Sequence, residues 1–251
     1  MQLTDNTVLI TGGGSGIGRG LAEALHALGN TVIIAGRRQE LLDETADANP
    51  GMASVLLDVQ DPEGLRAFAA EVTAYHPELN IVINNAGIMR REDLTALPES
   101  LADSEAIITT NLLGPIRLTA ALLPHLRRQR RATIINVSSD LAFVPLPLTP
   151  TYCATKAALH SYTQSLRFQL RDTPVEVIEL IPPGVQTELM PTSVNNPMMM
   201  PLDDFIRETM ALLKSQPGAP EICVERVKPL RFAAETATYD AAFQRLSQVA
   251  V

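Results

Sequence analysis

The sequence predicts one doubly wound α/β domain, with a parallel sheet of about six strands and helices on both faces. Short apolar runs alternate with segments of helical periodicity along the chain. These runs are continuously apolar, which is typical of strands buried on both faces. No repeat, low-complexity tract or linker divides the 251 residues, so we expect a single domain over residues 1–251.

Six segments rich in β-branched residues are the candidate strands. They cover residues 7–11, 31–35, 53–57, 80–84, 132–137 and 175–181. Between the first two, apolar residues recur on one helical face as far as Leu28, and Gly29 is placed to end that helix. Further helical patterns cover residues 38–48, 62–76, 101–127 and 152–171. Strands separated by helices imply right-handed crossovers and therefore a parallel sheet.

The composition limits the class of protein. Hydrophobic residues make up 46% of the chain and charged residues 19%, an ordinary globular balance. With a net charge of −8, we expect neither a nucleic-acid nor an anionic-membrane partner, because phosphates would be repelled. We see no apolar run of about 18 residues and no signal peptide. Two cysteines, Cys153 and Cys223, suit a reducing compartment, so a cytoplasmic protein is expected.

Two irregular segments follow strands at their carboxyl ends, which is where open α/β sheets bind ligands. Residues 141–151 are apolar but contain three prolines, which predicts a stiff loop. Residues 187–203 are rich in Pro, Asn and Met and predict an irregular, mobile flap within about 187–210. The methionines suit an apolar substrate pocket, although an accessory core or an oligomer contact would suit them equally.

The first strand runs directly into a glycine-rich turn and then into a helix. The turn has the spacing G-x-x-x-G-x-G and not the stricter G-x-G-x-x-G. Glycines allow close approach of the backbone to a pyrophosphate, and the helix N-terminus supplies free N–H groups. The alternative is a turn that merely joins strand to helix. The candidate cofactor residues in this turn are Gly12, Ser15, Gly16, Ile17 and Gly18.

The end of the second strand predicts which dinucleotide is bound. Dinucleotide sites usually place an acid there for the ribose 2′-hydroxyl, but this chain has Arg37 and Arg38. Guanidinium groups match phosphate oxygens, so we expect NADP, although the same two residues could simply open a solvated helix. After the third strand, Asp58 and Val59 are candidates for the adenine site. Alternatively, Asp58 or Asp61 caps the following helix.

Candidate catalytic residues follow the fifth strand. Tyr152 and Lys156 are four residues apart and share one helical face. A lysine ammonium beside a phenol lowers the pKa of the tyrosine, which can then exchange a proton with an alcohol oxygen. Ser139, at the strand end, is placed to hold that oxygen. The Y-x-x-x-K spacing alone is weak evidence, and it gains weight from the glycine turn and the serine.

In order and spacing, these motifs resemble the classical short-chain dehydrogenase/reductase family, whose members have a Rossmann fold. The resemblance runs from residue 6 to about 189 and rests on TGGGSGIG, NNAG, Asn111, Ser139, Tyr152 with Lys156, and IPPGVQT. It implies that Tyr152 is the general acid in reduction, that Ser139 orients the carbonyl and that Lys156 binds the nicotinamide ribose. It also implies that Asn111 anchors a water in a proton relay to Lys156. The further cofactor contacts that it implies are Asn85, Ala86, Gly87, Pro183, Gly184, Val185 and Thr187.

The C-terminal tail, residues 221–251, departs from that family. Typical members end in a seventh strand with a V-x-V-D-G-G stretch, and we find no such strand in this sequence. Because that strand often contributes to a tetramer contact in the family, a tetramer is in doubt. We expect a homodimer formed through helices 101–127 and 152–171. The tail resembles a DltE-like subgroup of the family.

The sequence therefore predicts an NADPH-dependent enzyme that reduces a ketone or aldehyde group of an apolar small molecule. An oxidative alcohol dehydrogenase and a non-catalytic NADP-binding regulator are the alternatives. No metal site is expected, because the four histidines have no ligand spacing with carboxylates or cysteines. The basic run 127–131 suits a solvated turn after a helix better than a nucleic-acid patch. Cys153, beside Tyr152, is expected to be a buried thiol.

Overall fold

The computed structural model of the chain describes residues 1–96 and 100–248, and its strands form one parallel sheet. The strand order is β3-β2-β1-β4-β5-β6-β7, and every neighbouring pair is parallel. The strands are β1 (Thr7–Thr11), β2 (Thr31–Gly36), β3 (Ala53–Leu56), β4 (Leu79–Asn84), β5 (Ala132–Val137), β6 (Val175–Ile181) and β7 (Glu221–Cys223). The order reverses between β1 and β4, which opens a crevice at the carboxyl edge. The predicted doubly wound fold class is confirmed.

Helices cover both faces of this sheet. They are α1 (Gly16–Ala27), α2 (Gln39–Asp47), α3 (Pro62–Tyr75), α4 (Ala102–Ile108), α5 (Gly114–Leu126), α6 (Pro150–Leu170), α7 (Leu202–Ser215), α8 (Lys228–Arg231) and α9 (Tyr239–Gln248). Prolines begin α3 and α6, at positions where a backbone N–H would have no intrahelical partner. Gly29, with a φ of 83°, follows α1, as its position in the sequence predicts.

Two elements differ from the sequence expectations. The expectation of no seventh strand is wrong, because Glu221–Cys223 pairs with the end of β6. Three residues without a glycine-rich motif carry too little periodicity to be detected. The predicted helix over 101–127 is α4 and α5 joined by a π-helical turn, Thr109–Leu113, which contains Asn111. Such turns are frequent at functional sites.

The apolar core lies on both faces of the sheet. On one face, Leu25 of α1 and Phe205 of α7 pack against Val8 and Ile10. On the other face, residues of α3, α5 and α6 pack against Leu9 and its neighbours in the sheet. Continuous burial of β1 explains why its sequence is apolar at successive positions.

One helical stretch among the described residues, Ala102–Leu126, is long and apolar enough to cross a membrane by length and composition alone. The expectation of no stretch of spanning length is therefore corrected. Core helices pass the same test, and Leu118, Leu122 and Leu126 of this stretch are buried against the sheet.

The C-terminal tail, described as far as residue 248, contributes to the fold in two ways. Its first residues form the edge strand β7. Its later residues pack on the loop after β5, where Val144 is buried with Ala233 and Ala242. The last three residues of the predicted tail, 249–251, lie outside the described residues.

Candidate active site

The glycine turn closes tightly on the first turn of α1. Gly12 and Gly16 have φ values of 68° and 52°, which side chains rarely adopt. A Cβ on Gly18 would lie 2.2 Å from the Gly12 oxygen, so only glycine permits this approach of helix and turn. Ile17 packs against the core under the turn. Thr187 lies over the turn, since a Cβ on Gly16 would be 3.3 Å from the Thr187 side chain.

The two arginines after β2 are exposed beside this turn. Arg38 donates from Nη2 to the Ser15 hydroxyl at 2.7 Å, and its Nη1 is 3.6 Å from the Glu188 carboxylate. Arg38 therefore connects the glycine turn to the start of the flap. Glu188 was not singled out in the sequence, because nothing in its spacing relates it to β2.

Asp58 and Asp61, which follow β3, lie in different surroundings, and only one of them caps α3. Asp61 caps α3 by accepting a hydrogen bond from the Glu63 N–H at 3.0 Å. Asp58 is exposed and accepts from the Gln60 N–H at 2.9 Å, while Val59 is buried. Asp58 is thus at the carboxyl edge of the sheet and is not the cap of α3.

The segment after β4 is tied to the glycine turn through Thr11. Its hydroxyl accepts hydrogen bonds from the N–H groups of Asn85 and Ala86, both at 3.1 Å. Asn85 Nδ2 donates to the backbone carbonyl oxygen of Thr11 at 3.0 Å. A Cβ on Gly87 would lie 3.8 Å from Lys156 Nζ. The NNAG segment therefore forms the wall between the glycine turn and Lys156. The role of Thr11 was missed, since a threonine at a strand end has no specific pattern.

Asn111 is buried in the π-helical turn and holds the next residues of this wall. Its Oδ1 accepts from the Ile88 N–H and its Nδ2 donates to the Ile88 oxygen, each at 2.9 Å. Nδ2 also lies 3.3 Å from the Thr155 hydroxyl on α6. Asn111 therefore links the wall to the helix that carries Tyr152 and Lys156.

Ser139, Tyr152 and Lys156 are brought together at the end of β5. Lys156 is 4% exposed, donates from Nζ to the Val137 oxygen at 2.7 Å, and lies 5.6 Å from the Tyr152 ring centroid. Burial lowers the pKa of Lys156 to about 8, and Glu179 opposes this effect. The Ser139 hydroxyl accepts from the Leu141 N–H at 3.1 Å.

The pKa of Tyr152 differs from the sequence expectation. Burial raises it well above the usual value near 10, while the Ser139 side chain acts in the opposite direction to a smaller extent. The expectation from the spacing, that Lys156 lowers the pKa of Tyr152, is therefore wrong, because the net shift is upward. Four residues of spacing indicate proximity, but they do not indicate how completely the phenol is removed from water.

Asp140, the residue after Ser139, is a buried acid that the sequence analysis did not single out. Burial raises the pKa of its carboxyl from 3.8 to about 6, although the hydrogen bond from Ser139 at 3.1 Å acts against this. Arg226 lowers the same pKa by a smaller amount. The site therefore contains, beside the candidate catalytic serine, a buried carboxyl group whose pKa is raised to about 6.

Tyr152 lies within an apolar cluster. Its buried members are Met89, Ile107, Tyr152 and Cys153, with Ile88, Leu141, Leu146 and Met190 packed against them. Burial raises the pKa of the Cys153 thiol, which agrees with a packing role. The cluster combines the wall after β4, the loop after β5 and the flap, so an apolar surface surrounds the candidate proton donor.

The flap is fastened at its base. Val185 bridges Met200, the Met200 N–H donates to the Gly184 oxygen at 2.8 Å, and the Gln186 N–H donates to the Met200 oxygen at 2.9 Å. Pro183 is buried just before this bridge. The Arg226 guanidinium in the tail donates to the Met198 oxygen. Because α7 begins at Leu202, the irregular part ends there and does not continue to residue 210.

A charged cluster lies behind the site. A ring nitrogen of His160 and carboxylate oxygens of Glu179 and Glu221 lie within 4.8 Å of one another. The sequence could not show this cluster, because α6, β6 and β7 bring the three residues together only in the fold. Glu221 is held by the Arg231 guanidinium at 2.7 and 3.0 Å. These side chains are therefore hydrogen-bonded to other protein groups.

Comparisons with known proteins give the family. The family model for short chain dehydrogenases matches residues 6–197. The chain is 41% identical, over 98% of both chains, to the uncharacterized oxidoreductase DltE of Bacillus subtilis (strain 168). A short chain dehydrogenase from Burkholderia cenocepacia J2315 in complex with NADP is similar at a TM-score of 0.83, with 26% identity over 98% of this chain and 99% of that one.

A second solved structure shares the fold with a different dinucleotide. The 3-ketoacyl-(acyl-carrier-protein) reductase from Brucella melitensis complexed with NADH is similar at a TM-score of 0.76. It is 25% identical over 87% of this chain and 93% of that chain. The match of the family model to most of the chain, together with the full-length relative, shows that this chain belongs to the short chain dehydrogenase family of oxidoreductases.

Proposed function

We propose that the chain is an NADPH-dependent reductase of apolar ketones or aldehydes, which uses Ser139, Tyr152 and Lys156. The observation that carries the proposal is the meeting of these three side chains at the end of β5, beside the glycine turn and within an apolar cluster. Family membership supports oxidoreductase chemistry. The substrate class and the catalytic roles are inferred from the side chains.

The residues present fit a dinucleotide. Backbone atoms of the glycine turn and the N-terminus of α1 can accept a pyrophosphate, because Gly12, Gly16 and Gly18 leave the cradle clear of Cβ atoms. Thr187 lies over this cradle and Gly87 lies beside Lys156. We infer that the nucleotide lies between Thr187 and Gly87. Its nicotinamide ribose would lie at Lys156, and its nicotinamide carboxamide at Val185 and Thr187.

The preference for NADP rests on Arg37 and Arg38. The fold alone does not set it, since similar structures hold NADP in one case and NADH in another. Arg38, anchored on Ser15, presents a guanidinium at the edge of the nucleotide cradle. A 2′-phosphate there would gain charge-assisted hydrogen bonds that a 2′-hydroxyl would not.

Each side chain has a role that follows from its surroundings. NADPH supplies the hydride when it is bound. Ser139 donates a hydrogen bond to the substrate oxygen, and Tyr152 transfers its proton to that oxygen as the alcohol forms. Because burial keeps Tyr152 protonated, it starts as a proton donor, which suits reduction. The Lys156 ammonium then stabilises the phenolate, and Asn111 holds the wall against α6.

The substrate is inferred to be apolar. The other members of the cluster that contains Tyr152 are aliphatic, thioether and thiol groups from α4, α6, the wall after β4, the loop after β5 and the flap. An anionic substrate would lose hydration there without gaining a cationic partner in the cluster. An oxidative alcohol dehydrogenase would use the same groups in reverse. A regulator that only binds NADP would not need the buried Tyr152–Lys156 arrangement.

We also propose a homodimer, formed through α4, α5 and α6. Phe168 on α6 is 67% exposed, with the Arg171 guanidinium 4.1 Å from its ring centroid. The proposed interface would cover this aromatic side chain, and aromatic residues are enriched in interfaces. Light scattering should give the mass of two chains, and Phe168→Glu should give the mass of one.

The proposed function is tested by titrating the purified protein with NADPH and NADH, followed by fluorescence. We expect NADPH to bind at least tenfold more tightly, and a panel of apolar ketones and aldehydes then to oxidise bound NADPH. Equal binding of the two nucleotides would refute the role of the arginines. Tight NADPH binding without turnover on any carbonyl would favour the regulator.

A further inference from the structure

Glu179 is a fully buried acid near the end of β6 that the proposed mechanism does not use. Its exposed fraction is 0%, and it lies between Asn136 of β5 and Glu221 of β7 in the register of the sheet. Acids are almost never fully buried unless they are paired. A fully buried acid such as Glu179 must therefore be stabilised by partners within the protein.

Its carboxylate is held by two side chains. Ser138 donates a hydrogen bond to Oε1 at 2.5 Å, and Oε2 lies 2.8 Å from His160 Nδ1. Ser138 directly precedes Ser139. His160 is one turn beyond Lys156 on the same face of α6. Both partners of Glu179 are therefore neighbours, in the chain or on the helix, of candidate catalytic residues.

The Val137–Ser138 segment is consequently held from two sides. Lys156 Nζ binds the Val137 oxygen from α6, and Glu179 binds the Ser138 hydroxyl from β6. This is the last stretch of chain before Ser139. Its position relative to α6 fixes the distance between the Ser139 hydroxyl and the Tyr152 phenol.

Glu179 is also placed to act on Lys156 through its charge. The charged and titratable groups around it are His160, Lys156 and Arg167 on α6 and Glu221 and Cys223 on β7, with Arg231 of α8 bound to Glu221. Glu221 is neutralised locally by its two contacts with Arg231. Glu179 is the acid whose charge opposes the effect of burial on Lys156.

We propose that Glu179 is a positioning residue of the active site: it fixes the strand end that carries Ser139 and is the buried counter-charge of Lys156. The proposal rests on the proposed function only for its catalytic consequence. The charge itself acts on Lys156 whether or not the protein turns over a carbonyl, so the two can be tested apart.

The test uses the small number of lysines. The chain has three, Lys156, Lys214 and Lys228, of which the last two are exposed. In protein labelled with 13C at lysine Cε, each gives one resonance, and Lys214→Arg and Lys228→Arg assign them. We expect the Lys156 resonance to titrate with a midpoint near pH 8, as its pKa of about 8 indicates.

Glu179→Gln keeps the shape and one acceptor but removes the charge. We expect the Lys156 midpoint to fall by about one pH unit. Glu176→Gln is the matched control, because it makes the same change on β6 at a side chain that pairs with the N-terminus. It should leave the midpoint unchanged. Equal midpoints in the wild type and Glu179→Gln would overturn the proposal.

Two further variants separate charge from packing. Ser138→Ala removes one hydrogen bond but keeps the carboxylate, so the Lys156 midpoint should stay within about 0.3 pH unit of the wild type. If Glu179→Gln does not fold, Glu179→Asp retains the charge, and its midpoint should also stay close to the wild type. A fall of about one unit in either variant would mean that packing, and not charge, sets Lys156.

The catalytic consequence is measured separately. With a carbonyl substrate, Glu179→Gln should lower kcat about tenfold or more while KM for NADPH changes little, and it should shift the pH profile of kcat. An unchanged pH profile beside a shifted Lys156 midpoint would overturn the catalytic part. Absence of turnover in the wild type would count against the proposed function alone.

Discussion

Asp140 is a carboxyl group whose burial should make stability depend on pH. The pKa in the folded protein is raised to about 6 from 3.8, mainly because burial disfavours the charged form. The native state therefore holds this proton more tightly than the unfolded chain. It follows that stability falls as the pH rises from about 4 through about 6, and then levels off.

Asp140→Asn removes this dependence while keeping an acceptor for the Ser139 hydroxyl. With pKa values of about 6 folded and 3.8 unfolded, ionisation of Asp140 costs the wild type about 2 kcal/mol between about pH 4.5 and about pH 7.5. The free energy of unfolding of Asp140→Asn, relative to the wild type, should therefore increase by about 2 kcal/mol over that range.

Urea unfolding of both proteins at several pH values measures this difference. Asp172→Asn is the matched control, because it makes the same substitution at an exposed side chain on a turn and gives the baseline for the comparison. If the difference for Asp140→Asn changes no more than this baseline between about pH 4.5 and about 7.5, ionisation of the Asp140 carboxyl does not destabilise the folded protein, and the electrostatic account of this site fails.

Three further substitutions, one of them with a matched control, test single residues. Arg38→Ala should weaken NADPH binding at least tenfold in fluorescence titrations and leave NADH binding nearly unchanged, because only NADPH carries the 2′-phosphate. Gly18→Ala should lower the free energy of urea unfolding by about 3 kcal/mol, since its Cβ would meet backbone 2.2 Å away, whereas Gly36→Ala, with its closest contact at 3.7 Å, should cost far less. Glu92→Ala should cost about 2 kcal/mol in the same assay, because its carboxylate binds both the N–H and the hydroxyl of Thr151 at the start of α6.

The sequence predicts β1 to β6, of which all but the edge strand β3 lie inside the sheet and carry a local physical signal. A strand buried on both faces must be apolar at successive positions, and β1, β4 and β5 are buried throughout. The edge strand β7 lacks this signal, since only Ile222 of its three residues is fully buried. The π-helical turn at Asn111 was missed because its five residues are too few to establish a period of their own within a long helical pattern.

The sequence predicts those residues of the candidate site that belong to local motifs. The spacing of Tyr152 and Lys156 places them on one helical face, and the turn geometry requires glycine at Gly18. The spacing does not give the depth of burial, which sets the sign of the Tyr152 pKa shift. Glu179 was missed because its partners, His160 on α6 and Ser138 directly after β5, lie close to it only in the folded chain.

The central claim is that Tyr152 donates the proton in an NADPH-dependent carbonyl reduction. The measurement that tests it most directly compares the wild type with Tyr152→Phe in NADPH binding and in single-turnover oxidation of bound NADPH by a carbonyl substrate. We expect Tyr152→Phe to bind NADPH within about threefold of the wild type and to react about 10²- to 10⁴-fold more slowly. Reaction at the wild-type rate in Tyr152→Phe would contradict the account.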